Sequence, residues 1–209
     1  RNQDGTTRIL NLCDQTNDRV YNAEEINEAL KSENPYESVN SLDYSGHGTH
    51  VAGIAAGNFA ENKNDKLGIA TKSSLVILKM ALAGERSFPR TTQLMEAVDY
   101  MIKVAESYKM PLAMNLSFGN SYGSHDGTYL LSTYLDSMAD GRRVSICVGA
   151  GNEGDSAGHA GGYVFEPTDV EVQVSRFQKA FSIQLWKDFS DEFRVQIIAP
   201  SGFIIDVTE

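Results

Sequence analysis

Residues 91–117 read TTQLMEAVDYMIKVAESYKMPLAMNLS, and the fold turns on how they are read. Leu94, Ala97, Val98, Met101, Ile102 and Ala105 recur at three-and-four spacing, which lays one apolar stripe along a helix from Thr91 to about Tyr108. Thr91 or Thr92 offers a capping hydroxyl at its start, and Pro111 lies just beyond its end. Leu112–Ser117 is then an apolar run of strand length. Arg8–Cys13 (RILNLC), Ser74–Met80 (SLVILKM) and Arg143–Gly149 (RVSICVG) are runs of the same kind. A second helical pattern spans about Asp126 to Ala139, with Leu130, Leu131, Tyr134, Leu135 and Met138 inward and Gly141 at its end. A shorter one, Ala23–Lys31, has Asn22 as N-cap and Glu25 three residues on. Strands alternating with helices predict an α/β fold, a parallel sheet with helices on both faces.

The pattern changes near Gly161-Gly162. Beyond it, Val170/Val172/Val174, Phe181/Ile183/Leu185 and Phe193/Val195/Ile197 alternate with polar residues at period two, and Pro200-Ser201-Gly202 reads as a turn before Phe203–Val207. This predicts the beginning of an antiparallel all-β module over 163–209, after a first domain over 1–162. So few strands make a thin core with open edges, so the chain is expected to be a fragment that stops inside this module.

The chain has 209 residues, 41% hydrophobic and 22% charged, an ordinary globular composition. Lys+Arg 18 against Asp+Glu 28 leaves a net charge of −10, which disfavours nucleic acid and anionic membranes as partners. No apolar run is long enough for a membrane span, and no signal peptide is visible. Cys13 and Cys147 cannot build a disulfide framework; lying in apolar runs, both are expected to be buried free thiols.

Three segments carry chemistry. Gly46-His47-Gly48-Thr49-His50-Val51-Ala52-Gly53-Ile54-Ala55-Ala56-Gly57 places His47 at a helix N-terminus, where the dipole favours a neutral ring able to accept a proton. The tiny residues after His50 make a helix thin enough to be buried tightly. His47-x-x-His50 lacks further ligands, so no metal is expected there. Asn115-Leu116-Ser117-Phe118-Gly119 ends a parallel strand, where open α/β sheets place ligand crevices. Gly149-Ala150-Gly151-Asn152-Glu153-Gly154 fits G-x-G-x-x-G, yet a loop composition follows it where a dinucleotide site needs a helix. Read otherwise, Asn152 donates its amide to a developing oxyanion, and the glycines admit a substrate backbone. Gly154-Asp155-Ser156-Ala157-Gly158 fits the nucleophile elbow of α/β-hydrolases, but lacks the strand-to-helix turn that motif requires. The polar loop 58–66 mixes few carboxylates with lysines, a poor calcium site.

In the order HGTHVAGIAAG, NLSFG and GAGNEG, with Leu67-Gly68-Ile69-Ala70 and Leu78-Lys79-Met80 between the first two, the chain resembles the subtilisin-like serine proteases over about residues 8–155. The resemblance implies a subtilisin-like sheet; calcium is common among such proteases, but the composition of loop 58–66 leads to the expectation of no metal and no cofactor. It implies His47 as general base and Asn152 as side-chain oxyanion donor. Ser117, Phe118 and Gly119 with Gly149, Ala150 and Gly151 would form the two walls of the pocket for the residue before the scissile bond. The stretches 4–10, 14–15, 25–30 and 123–127 are similar to the Csp-type subset of spore-germination proteases. That subset carries a jelly-roll domain between the oxyanion asparagine and the nucleophile, which is where the all-β stretch begins. A peptide bound as an extended strand is the implied substrate, and a secreted or spore-associated location is implied by the same likeness.

The departures from the pattern matter. No G-T-S nucleophile segment is present, and no aspartate precedes a Ser/Thr-Gly pair. Asp14 ends a strand ahead of His47 but is followed by Gln15-Thr16. The resemblance places this segment after the true acid, so the aspartate is expected upstream of Arg1 and Asp14 near the surface; Asp14, 33 residues before His47, stays the alternative acid. The 209 residues alone are expected to be inactive, the missing N- and C-terminal parts of the same protein being needed. Three other readings stay open: a pseudoprotease acting as a binding module, an esterase using Ser156, and a nicotinamide dehydrogenase.

Overall fold

A computed structural model describes residues 1–58, 67–81, 90–117 and 122–207. They fall into two units, Arg1–Asn120 with Leu130–Gly154, and Ser121–Tyr129 with Asp155–Glu209. In the first, the order is β1 (Ile9–Asp14), β2 (Arg19–Asn22), α1 (Ala23–Ala29), a 3-10 turn (Pro35–Glu37), α2 (His47–Ala56), β3 (Leu75–Lys79), α3 (Thr91–Ser107), β4 (Leu112–Leu116), α4 (Leu130–Ala139) and β5 (Val144–Val148).

All six stripe residues of α3 are buried, as their spacing predicts. Leu94, Val98, Met101 and Ile102 meet Met114 and Leu116 of β4 to form the core. Val76 and Leu78 of β3, Ile146 of β5 and Leu131 and Leu135 of α4 pack around them. The N-cap position of α3 belongs to Arg90 rather than to Thr91 or Thr92. Its N–H donates to the Gln93 side chain at 2.9 Å, so the first turn is closed from inside the helix. In α1 the capping box is complete: Asn22 accepts from the Glu25 N–H and Glu25 accepts from the Asn22 N–H, both at 2.9 Å. α4 begins at Leu130, later than the pattern suggests. Upstream of it, Asp126 takes the N–H and hydroxyl of Thr128 at 2.8 Å and the Ser124 hydroxyl. Such side-chain turns compete with the helix for the same backbone donors.

The α/β class holds, but among the described residues the strands do not join in the single parallel sheet expected from the alternation. β1 pairs in parallel with β3 and antiparallel with β2, giving the order β2-β1-β3, while β4 and β5 pair in parallel as a separate two-stranded sheet. Both sheets feed side chains into the one core around α3. A shared helix brings side chains together without making backbones pair. Strand β2 had no apolar run to announce it; it follows β1 through a tight turn with Asp18 at φ +52.

Among the described residues the second unit has one hairpin, β6 (Val195–Ile198) and β7 (Ile204–Val207), in the register Val195↔Val207. Its turn lies at Pro200-Ser201-Gly202 as expected. Gly202 stands at φ +83 and donates to Ala199 O at 2.8 Å. Residues 170–174 and 181–185 form no ladder, although their alternation predicts strands. Alternation specifies a face, whereas a strand also needs a neighbouring backbone to pair with. Val170, Val172, Phe181, Ile183 and Leu185 are exposed. Cys13 is half-buried and free, but Cys147 is exposed, contrary to expectation: it alternates to the face of β5 opposite Ile146, which packs on the core. No described helix is long and apolar enough to cross a membrane.

Because α3 is the shared partner of both sheets, its stripe is expected to set the stability of the first unit. Ile102→Ala should cost about 2–5 kcal/mol and Ile102→Val about 0.5–1.5 kcal/mol, measured by urea unfolding.

Candidate active site

Helix α2 begins at His47, as the sequence predicts, and its first turn is organised by Asp43. One carboxylate oxygen of Asp43 accepts the Gly46 N–H at 2.9 Å and the Ser45 hydroxyl at 3.1 Å. The other accepts the N–H and hydroxyl of Thr49, both at 2.8 Å. Gly46, at φ +74, makes the left-handed step into the helix. The Thr49 amide and hydroxyl, with the Gly46 amide, hold the Asp43 carboxyl far below its usual value of 3.8. His47 donates its own N–H to the Ser45 hydroxyl at 3.2 Å, and its imidazole is exposed.

The other end of α2 is closed by backbone and by Arg8. Ile69 donates to Ile54 O at 3.2 Å, Ala70 to Ala55 O at 2.8 Å, and Gly68 to Gly57 O at 2.8 Å. The Arg8 guanidinium donates to Ala56 O at 2.6 Å, and also to Ser73 O and Ala70 O at 2.9 Å each. Arg8 is only 7% exposed, and among the described residues its charge is met by one carbonyl at the C-terminus of α2 and two from residues 70 and 73, not by a carboxylate. Segment 68–70 comes this close because of glycines: a Cβ on Gly57 or on Gly68 would lie 2.6 Å from Gly53 O. The small residues therefore serve backbone packing at one end. The expected tight burial of the whole helix does not occur: Ala56 is buried, while His47–His50 and Gly53–Ala55 are exposed, Ile54 by 59%.

Ser117 and Gly149 meet at the ends of β4 and β5. Gly149 donates to Leu116 O at 3.0 Å, continuing the parallel ladder, and a Cβ on Gly149 would lie 4.0 Å from Ser117 Cα. Asn115 donates its side-chain amide to Ser117 Oγ at 2.8 Å. Gly149, Ala150, Gly151 and Asn152 follow as an exposed run with Gly151 at φ +92, and the Asn152 N–H is held by the Glu153 carboxylate at 2.9 Å. Phe118 and Gly119 lie outside the described residues, as does most of loop 58–66. Neither competing motif finds its context. Residues 149–165 contain no helix, so G-x-G-x-x-G lacks its phosphate-binding turn and Ser156 lacks an elbow.

Asp14 is 0% exposed, not near the surface as expected. It accepts the Ser41 hydroxyl at 2.6 Å, the Thr16 N–H at 2.9 Å and hydroxyl at 2.5 Å, and an ion pair from Lys79 at 3.1 Å. Burial opposes its charge, but these hydrogen bonds together outweigh it and keep the carboxyl below its usual value. Among the described residues no hydrogen bond or ring contact joins His47 to Asp14, Ser117 or Asn152. Sequence reasoning passed over Asp43, Arg8, Ser41 and Lys79. For Asp43 the signal was present, an aspartate three residues before a glycine that opens a helix. For Arg8 there was none, since its partners lie 48 to 65 residues away.

The family model for the subtilase family matches residues 11–175. The major intracellular serine protease of Bacillus subtilis (strain 168) is 32% identical over 113 residues, 54% of this chain and 31% of that protein. The structure of the Clostridium perfringens CspB protease aligns with a TM-score of 0.70 and 40% identity, over 76% of this chain and 34% of that one. The chain thus spans about a third of the length of these relatives.

Removal of the Asp43 cap, as Asp43→Ala, is expected to cost about 0.5–2 kcal/mol, seen as fraying of α2 in amide exchange. Gly68→Ala should destabilise the same helix from its other end. Asp14 and Asp43 both have depressed carboxyls, so their stabilisation is full above the ordinary value of 3.8 and is lost as pH falls through the lower folded-state values. Acid titration by circular dichroism should show a transition below that value that Asp43→Asn weakens.

Proposed function

The chain belongs to the subtilase family, and on that premise we propose that it is the middle of the catalytic domain of a serine endopeptidase. In this reading His47 is the general base. It takes the proton from a serine hydroxyl as that oxygen attacks a peptide carbonyl, then gives it to the leaving amine. Asn152 donates its side-chain amide to the oxyanion, and Ser117–Gly119 with Gly149–Gly151 flank the side chain before the scissile bond. The substrate is a peptide lying as an extended strand along these two walls. The carrying observation is that Ser117 and Gly149 are neighbours at the C-terminal ends of paired parallel strands, in the unit that also carries His47 at a capped helix start.

The nucleophile and the orienting acid lie, in this proposal, outside the 209 residues. That agrees with a chain spanning about a third of its relatives. It agrees also with the state of Asp14, whose acceptor positions are taken by Ser41, Thr16 and Lys79 and whose pair with a lysine leaves no place for an imidazole. Residues 1–162 then belong to the catalytic domain and 163–209 to an inserted jelly-roll-like β module. The β6–β7 hairpin supports a β module in the second part.

A fluorophosphonate probe tests the reading. The intact protein should be labelled, and His47→Ala should abolish labelling. Asn152→Ala should lower kcat on a peptide amide by about 10²–10³. The 209 residues alone should stay unlabelled; labelling lost in Ser156→Ala would put an esterase in its place. An intact protein that binds peptides but takes no label would be a pseudoprotease.

A further inference from the structure

We propose that Asp14 is a positioning residue for His47, acting through Ser41 on the segment that delivers the histidine to α2. The proposal rests on the reading of His47 as general base for its importance, but not for its geometry. Asp14 closes β1 and stands in register with Lys79 of β3, so it is anchored in the sheet. From there its carboxylate reaches the Ser41 hydroxyl at 2.6 Å. Two further tethers run the same way. Asn17 donates to Asn40 O at 3.1 Å, and the Lys79 ammonium lies 5.8 Å from the centroid of the Tyr44 ring. Residues 40, 41 and 44 are thus tied to one cluster at the end of β1 and β3. The next polar side chain of the segment, Asp43, is the one that organises the first turn of α2 around Gly46 and Thr49. Hydrogen bonds at either end, joined by the backbone of residues 41–43, therefore lead from the sheet to the start of α2 at His47.

The chemistry of the cluster favours this role over simple filling. A buried carboxylate loses several kcal/mol of hydration, and an apolar residue of similar volume often does as well or better for stability. What an apolar side chain lacks is direction. The Asp14 carboxylate binds Thr16, Ser41 and Lys79 at fixed angles, and so fixes where the segment after Ser41 must run.

Ser41→Ala removes one tether and leaves the Lys79 and Thr16 bonds in place. Amide exchange at Gly46, His47 and Thr49 is expected to quicken by about tenfold, with the His47 ring signals shifted in ¹H–¹³C spectra, while Val98 and Met101 in α3 keep their protection. Ser41→Thr, which keeps the hydroxyl, should restore the original values. In the intact protein Ser41→Ala should lower kcat by about tenfold with KM unchanged. Unchanged exchange at Thr49, equal loss of protection in α3, or failure of Ser41→Thr to rescue would overturn the proposal. Should Ser41→Ala not fold, Asn17→Ala carries the test through the exposed bond to Asn40: faster exchange at Thr49 supports it and no change overturns it. Exchange needs no turnover. An intact protein without peptidase activity would therefore overturn the enzyme reading and leave this inference standing.

Discussion

The last turn of α2 offers carbonyls to the protein, and each of them must find a donor if the helix is to stand where it does. Gly57, Ile69, Ala70, Arg8 and Gly68 answer the carbonyls of residues 53, 54, 55, 56 and 57 in turn. Much else follows from that list. Segment 68–70 must run alongside the helix end, which only glycines at 57 and 68 permit. Arg8 must enter the interior just ahead of β1, which ties the helix to the strand that begins at Ile9. The charge order is also set. Asp43 sits at the positive end of the helix and Arg8 at the negative end, so both ionic groups reinforce the peptide dipoles they cap.

The two halves of the candidate site are held by different physics. His47 owes its place to directional bonds: the cap at Asp43, the carbonyls at Arg8, and the cluster around Asp14. Ser117 and Gly149 owe theirs to burial. β4 and β5 lie beside each other because Met114, Leu116 and Ile146 pack on the stripe of α3, and Gly149 continues their ladder one step past the core. Polar bonds lose strength when water or protons compete, whereas the packed half responds mainly to volume. Acid is therefore expected to loosen the histidine side first.

Features carried by neighbouring residues were legible in the sequence. The α3 stripe named all six buried positions, the α1 box needed only Asn22 and Glu25, and Pro200-Ser201-Gly202 announced its turn. Features that depend on competition between partners were not. Asp126 captured Thr128 and delayed α4, Arg90 took the cap for which Thr91 and Thr92 were candidates, and β2 formed from residues with little apolar character. Cys147 sits in an apolar run yet on the outward face of its strand. Asp14, a charged residue at a strand end, is buried because four donors from three places in the chain converge on it.

By itself the sequence determined the α/β class, the positions of the main helices and the parallel strands, and the motifs that mark a subtilase. Each of those rests on periodicity or on residues close together in the chain. Only the tertiary structure decided that the described strands of the first unit divide into two sheets, that α2 is closed by a buried arginine, and that Asp14 engages Ser41 and Lys79 rather than a histidine. Those outcomes depend on donors and acceptors 27 to 65 residues apart, and residue type alone does not say which of several polar groups will reach a given partner first.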